Sequence, residues 1–196
     1  MTETAPKRGI WLLAIVTVAG VAADQITKQL AHAYLRGQGL VSVVEGFFEL
    51  RYARNPGAFF SLGADLDPSL RRVFFVAASA FASVLILRLY AKAEPTQRVF
   101  RWALALLLAG ALGNLIDRAI WGEVIDFVHL YWSGVFDWAT FNVADVLIAA
   151  GLVLLAVDAF RSRTEDERDD EPLPSPDSED EPIDHPHDLR APEGSP

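Results

Sequence analysis

The sequence predicts an all-α membrane protein: a bundle of four transmembrane helices with a small strand-rich extracytoplasmic platform and a disordered acidic C-terminal tail. Three observations carry this expectation. The apolar residues are gathered into four long runs, lysine and arginine concentrate at one end of those runs, and acids and prolines crowd into the last part of the chain.

The apolar runs are Gly9 to Ala23, Val73 to Tyr90 with two serines and Arg88, Val99 to Gly113 broken only by Arg101, and Val143 to Val157 broken only by Asp145. Each approaches the length a helix needs to cross about 30 Å of hydrocarbon at 1.5 Å per residue. The spans are accordingly placed at about residues 10–31, 71–91, 98–118 and 141–160 within a membrane domain of residues 1–163. Lys7 and Arg8 ahead of Val21-Ala22-Ala23 also fit a removed leader. Asp24 and Lys28, just beyond that point, read instead as part of a retained first helix.

Orientation follows from the basic residues. Lys7, Arg8, Arg88, Lys92, Arg98, Arg101, Arg161 and Arg163 mark one side, whereas Ala119 to Trp138 contains no lysine or arginine and Tyr34 to Ser69 contains three. The positive-inside rule therefore puts both termini in the cytoplasm, with Arg71 and Arg72 as the discordant pair. Trp11 and Trp102 fall at the cytoplasmic ends, and Trp121, Trp132 and Trp138 at the outer ends, as two interfacial belts require. Between the first two spans, at about residues 37–63, Val41, Val43, Phe47, Leu50, Tyr52 and Phe59 stand among glycines and Asn55-Pro56-Gly57, a texture of strands and turns.

Residues 165–196 hold 13 of the 26 acids and seven of the eleven prolines, leaving a body with 13 acids and 15 bases. With almost no large apolar side chains, a tail of residues 164–196 cannot offset its own ordering entropy and reads as solvated and disordered. His185 and His187 within it make no metal site by themselves. The chain has no cysteine, which excludes disulfides, thiol catalysis and cysteine-based zinc sites, and also excludes that the protein is itself a lipoprotein. It has no basic, aromatic-interleaved patch for nucleic acid.

Ionisable residues inside spans are costly and therefore informative. Here they collect at one end. Asp24 and Lys28 have the i, i+4 spacing and order of a helical ion pair, which reads as an anchor for the first span. Asn114, Asp117 and Arg118 close the third span at the same face, and Asn142 and Asp145 open the fourth. Gly110 and Gly113 read as small residues that permit close helix packing. Asp126 is embedded in Val124-Ile125-Asp126-Phe127-Val128, where a plain solvent loop has no reason for an acid. For Asp145 two readings stand open: a favourable acid in the first helical turn behind an Asn142 N-cap, or one of a pair of carboxylates for acid–base chemistry.

Five motifs in order extend this reading. Asp24-Gln25-Ile26-Thr27-Lys28, Asn55-Pro56-Gly57-Ala58-Phe59-Phe60-Ser61, Gly113-Asn114-Leu115-Ile116-Asp117-Arg118, Val124-Ile125-Asp126-Phe127 and Phe141-Asn142-Val143-Ala144-Asp145 resemble those of signal peptidase II, the lipoprotein signal peptidase family, over about residues 10–160. The resemblance implies an aspartic endopeptidase with Asp126 and Asp145 as catalytic pair. It also implies that Asn55, Gly57, Asn114, Arg118 and Asn142 contact substrate or support the pair, with Asp24 and Lys28 in a supporting role.

The implied substrate is a diacylglyceryl-modified prolipoprotein, cut just before its lipidated cysteine by a monomer among membrane lipids, without metal or organic cofactor. Phe59 departs from the usual small residue and is expected to narrow the pocket. An environment of apolar neighbours suits Asp126 as the acid, and a helix N-terminus suits Asp145 as the base. The competing class is a small transporter or lipid-binding membrane protein with buried acids. That class calls for charges through the span centres or paired broken helices, and the sequence has neither. A presenilin-type protease would need a Gly-x-Gly-Asp motif, which is absent.

Overall fold

The computed structural model describes residues 5–57, 67–132 and 134–169. Its elements in chain order are α1 (Ala5–Tyr34), β1 (Val41–Val44), β2 (Phe48–Asn55), α2 (Pro68–Lys92), α3 (Arg98–Trp121), β3 (Val124–Trp132), β4 (Phe136–Asp137) and α4 (Val143–Asp169). Within them Gly9–Tyr34, Pro68–Lys92, Arg98–Trp121 and Val143–Arg163 are long and apolar enough to cross a membrane. The fold is thus a four-span bundle with a small antiparallel sheet.

Helix α3 is the centre of the bundle. Buried residues make up 44% of its span window, against 11% to 17% for the other three, because α1 and α2 both pack on it. Small residues let α4 approach it as well: a Cβ on Gly110 would press into the carbonyl of Ala144 and the side chain of Ile148, and one on Gly151 into Leu107. Away from the sheet, the Tyr90 hydroxyl donates to the Gly9 carbonyl at 2.5 Å, and the Arg101 guanidinium lies over the Tyr90 ring, fastening α1, α2 and α3 together.

Two helices extend beyond their apolar runs. α1 begins at Ala5 and ends at Tyr34, and α4 continues to Asp169, into the stretch expected to be unstructured from residue 164. The strong helix propensity of glutamate and arginine, with no proline before Pro172, accounts for the extension. Residues 170–196, which hold most of the expected tail, lie outside the described residues, as does Phe59.

The platform is larger than the segment between the first two spans. The four strands run in the order β1-β2-β3-β4, every pair antiparallel, so the region expected to be a plain outer loop supplies half the sheet. β2 and β3 pair Ala53 with Asp126 and Asn55 with Val124, with a register shift between Leu50 and Ala53. Val124 through Phe127 are all buried, so β3 lacks the two-residue alternation that marks a half-exposed strand. Gly122, at φ 77°, closes α3 in the left-handed conformation and turns the chain directly into β3.

Candidate active site

The site begins at a buried lysine. Lys28, fully buried on α1, places its Nζ 2.8 Å from Asp24 Oδ2, 2.8 Å from Asp117 Oδ2 and 2.9 Å from Asn114 Oδ1. The i, i+4 pair read from the sequence therefore exists, and a second acid from α3 completes it. Gln25 adds an amide that donates to Asp117 Oδ1 at 2.9 Å and to Asp24 Oδ2 at 3.2 Å. The Asp117 carboxylate is turned to Lys28. One ammonium facing two carboxylates and an amide oxygen satisfies all three ammonium protons, which is what makes such burial tolerable.

Both acids use their remaining lone pairs on backbone amides. Asp24 Oδ1 accepts from Ala144 N at 2.8 Å, and Asp117 Oδ2 accepts from Ile125 N at 3.1 Å. The first contact satisfies an orphan N–H in the opening turn of α4; the second holds the start of β3.

At the same helix end, Asn142 and Asp145 cap each other. Asp145 N donates to Asn142 Oδ1 at 3.0 Å and Asn142 N donates to Asp145 Oδ2 at 3.1 Å, a reciprocal capping box. The capping geometry expected from the spacing is therefore present, and it leaves the other Asp145 oxygen, Oδ1, to accept from Asn114 Nδ2 at 2.9 Å. Asp145 also lines a cavity.

Asp126 lines the same cavity from β3. Asn142 Nδ2 donates to its Oδ1 at 2.6 Å and Asn55 Nδ2 to its Oδ2 at 3.1 Å. Asn55 is oriented in turn because its Oδ1 accepts Gly57 N at 3.1 Å, an Asx turn that commits its amide nitrogen to Asp126. Asn142 thus touches both carboxylates, and Asn114, through its Oδ1, accepts from Asn142 Nδ2 at 3.2 Å and closes the network. Burial, first, and the negative charge of Asp145, second, push the Asp126 carboxyl up to about 7 against the opposing hydrogen bonds of Asn55 and Asn142.

The cavity has a volume of about 920 Å³. On one side α2 offers Phe74, Phe75, Ala78 and Ala82; on the other, the segment from Asp137 to Phe141 forms the wall. Arg118 reaches it with its guanidinium 5.5 Å from the Phe75 ring and Nη1 3.4 Å from the Asn114 carbonyl. Of the nine site residues selected from the sequence, Asn55, Gly57, Asn114, Arg118, Asp126 and Asp145 line this cavity, Asp24 and Lys28 form the ion pair bonded to Asn114, and Asn142 bridges Asn114 and Asp126. Sequence reasoning did not select Gln25, Asp117 or the 137–141 wall. For Asp117 the available signal was an acid three residues past Asn114 on an otherwise apolar helix. Among the described residues no group of three or more acidic or histidine side chains is arranged to hold a metal ion.

Four spans, an antiparallel sheet at one end and a carboxylate-lined cavity beneath it define a multi-pass membrane protein with a built polar site. Comparison narrows the class. The model of the signal peptidase II family matches residues 16–161. The lipoprotein signal peptidase of Geobacter sulfurreducens is 42% identical over 146 residues, 74% of this chain and 89% of the relative. That of Desulforapulum autotrophicum is 38% identical over 159 residues, covering 81% and 98%. A solved bacterial membrane enzyme superposes with a TM-score of 0.69 at 27% identity over 78% of this chain and 90% of its own. The chain belongs to the signal peptidase II family, and is a membrane protease of the aspartic type.

Proposed function

We propose that this chain hydrolyses the peptide bond just before the diacylglyceryl-modified cysteine of a prolipoprotein, with Asp126 and Asp145 as the catalytic dyad. The observation that carries the reading is that both carboxylates line one cavity and are tied to each other through Asn142. The names of the relatives, lipoprotein signal peptidases, supply the substrate class.

The chemistry follows from the two environments. Asp126 retains its proton to about pH 7 because it is buried and faces a second acid, which suits it to protonate the carbonyl oxygen. Asp145, in the first turn of α4 with two N–H donors on its oxygens, is placed to act as the base. Asp145 takes a proton from water as the oxygen bonds to the scissile carbon, and Asp126 gives its proton to the carbonyl oxygen. The tetrahedral intermediate then loses its C–N bond. The amine leaves with the proton held by Asp145, and Asp126 regains one from the intermediate's hydroxyl, restoring both groups.

The apolar α2 face of the cavity suits a substrate helix and acyl chains arriving from the bilayer, while Arg118, Asn55 and Gly57 border the reacting end. Lys28, Asp24, Asn114 and Asn142 act by holding the pair in place. Both termini are assigned to the cytoplasm and the sheet to the outer side of a bacterial cytoplasmic membrane. The deciding experiment is incubation of the purified chain with a diacylglyceryl-modified prolipoprotein and with its unlipidated twin. Cleavage before the cysteine of the lipidated form alone is expected, and cleavage of neither would reject the reading.

A further inference from the structure

One side of the cavity has no part in this chemistry. Asp137, Trp138, Ala139, Thr140 and Phe141 all line it, yet none touches either carboxylate of the dyad. We propose that His129 and Arg51 are positioning residues that hold this segment as the fixed wall of the substrate site; the proposal rests on the peptidase reading above.

The wall is pinned by its backbone at three points, the first being Asp137, which pairs with Tyr131 where β4 meets β3. Trp138 N donates to Leu130 O at 2.9 Å, and Phe141 pairs with β3 through its own N–H to Val128 O at 2.9 Å and through its carbonyl, which accepts from Phe127 N and Val128 N. Among the described residues, no backbone hydrogen bond joins Ala139 or Thr140 to the sheet. Side chains add two further ties, one of them at Thr140, where the backbone has none. Arg51 Nε donates to Thr140 Oγ1 at 2.5 Å, and His129 Nε2 meets Asp137 Oδ1 at 2.9 Å.

Both ties start from firm ground. Arg51 lies in the register shift of β2 between Leu50 and Ala53, the kind of irregularity that re-aims a side chain off the sheet. His129 is only 4% exposed, is stacked on Tyr131 at 5.4 Å between ring centroids, and has Glu49 Oε2 3.3 Å from its Nδ1 across the β2–β3 ladder. A carboxylate oxygen stands beside each ring nitrogen, so the ring is bracketed from both sides. Asp137, in contrast, is 78% exposed at its side chain. An exposed acid normally gains little from an ion pair, because ordering two mobile side chains offsets the attraction. Here one partner is already immobile and the Asp137 backbone is paired with β3, so the contact orders the Asp137 carboxylate at the rim of the cavity.

The consequence for turnover is specific. Phe141, the residue just ahead of Asn142, keeps its own pairing to Val128, so the dyad is insulated from slack in residues 137–140. Loosening the wall then changes how substrate is held and leaves the carboxylates where they were.

The experiment uses the full chain in detergent with a diacylglyceryl-modified prolipopeptide, comparing wild type with His129→Gln, Asp137→Ala and the double variant, each corrected for its folded fraction. Failure of the wild type to cleave would remove the peptidase reading itself; the wall is tested only by differences among active proteins. The expected result is a KM raised about three- to tenfold in each single variant with kcat within about twofold, and a double variant no worse than His129→Gln alone, because both changes break one contact. Should His129→Gln not fold, Thr140→Val, which removes only the hydroxyl, is expected to raise KM likewise, and Thr140→Ser to restore it. An unchanged KM, a loss confined to kcat, or additive effects of His129 and Asp137 would overturn the proposal.

Discussion

Asp24 Oδ1 accepts the amide proton of Ala144 at 2.8 Å, joining the first span to the first turn of the last across 120 positions of sequence. Asp117 Oδ2 does the same for Ile125 at 3.1 Å. Both acids are bound to the one ammonium of Lys28. The amide just ahead of Asp145 and the amide just ahead of Asp126 are therefore each held by a carboxylate on a shared cation, so the relative placement of the two aspartates is set by a charge cluster that neither belongs to.

That arrangement orders the effects of substitution. Lys28→Met leaves two buried acids without their cation, a loss of about 3–5 kcal/mol by the usual cost of breaking a buried pair. Asp24→Ala removes an acceptor from a helix N-terminus, about 1 kcal/mol, and also leaves Lys28 short of one partner. Asp24→Asn retains an oxygen for Ala144 and is expected to be milder than Asp24→Ala. Thermal unfolding in detergent should rank stability as wild type, Asp24→Asn, Asp24→Ala, Lys28→Met.

Gly113 tests the same cluster sterically. A Cβ there would stand 2.6 Å from Asp24 Oδ2 and 3.2 Å from the Ala144 Cβ. Gly113→Ala is expected to displace Asp24 from both Lys28 and α4, lowering the melting temperature and the rate together. A Gly113→Ala protein as stable and as active as wild type would show that α1 can retreat without disturbing the site.

Much of this was legible in the sequence, and the limit is instructive. The Asp24–Lys28 pair and the Asn142–Asp145 cap follow from local helical spacing, and the four spans follow from run length. What was not legible depends on contacts between distant segments. β3 was read as loop because its pairing partner, β2, lies some seventy residues earlier and because burial of Val124 through Phe127 on both faces erases the alternation that announces a strand. His129, in the same strand, went unselected since its two acids come from β2 and β4. Asp117 went unselected because its partners, Lys28 and Gln25, lie on another helix.

The pH dependence has a definite sign. The Asp126 carboxyl is raised to about 7 in the folded chain from an ordinary value near 3.8, so the native state binds the extra proton between those limits. Its contribution to stability is therefore greatest at low pH and falls as pH rises through the window, by roughly 4 kcal/mol in all. In the proposed mechanism the same proton is needed for catalysis, so the rate should show an alkaline limb near pH 7. The stability gap between Asp126→Asn and wild type should shift in favour of the variant between about pH 5 and about pH 8. A gap independent of pH would mean that Asp126 titrates as an ordinary surface acid.

Topology can be checked with introduced cysteines, since the chain has none. Val135, 75% exposed beside β4, is expected to react as Val135→Cys with an impermeant reagent on intact cells. Asp170→Cys is expected to react only after permeabilisation. The reverse pattern would invert the assignment made from lysine and arginine.

The most direct measurement of the dyad is single-turnover cleavage of a diacylglyceryl-modified prolipopeptide by Asp126→Asn and by Asp145→Asn, with substrate binding followed in parallel. Each variant keeps oxygen and size at its position and loses the ability to hold or give up the proton. Cleavage should fall by at least about three orders of magnitude, roughly 4 kcal/mol of transition-state stabilisation, while the dissociation constant changes by less than about threefold. Turnover by either variant within about tenfold of wild type would contradict a catalytic role for that aspartate and with it the shared-proton mechanism.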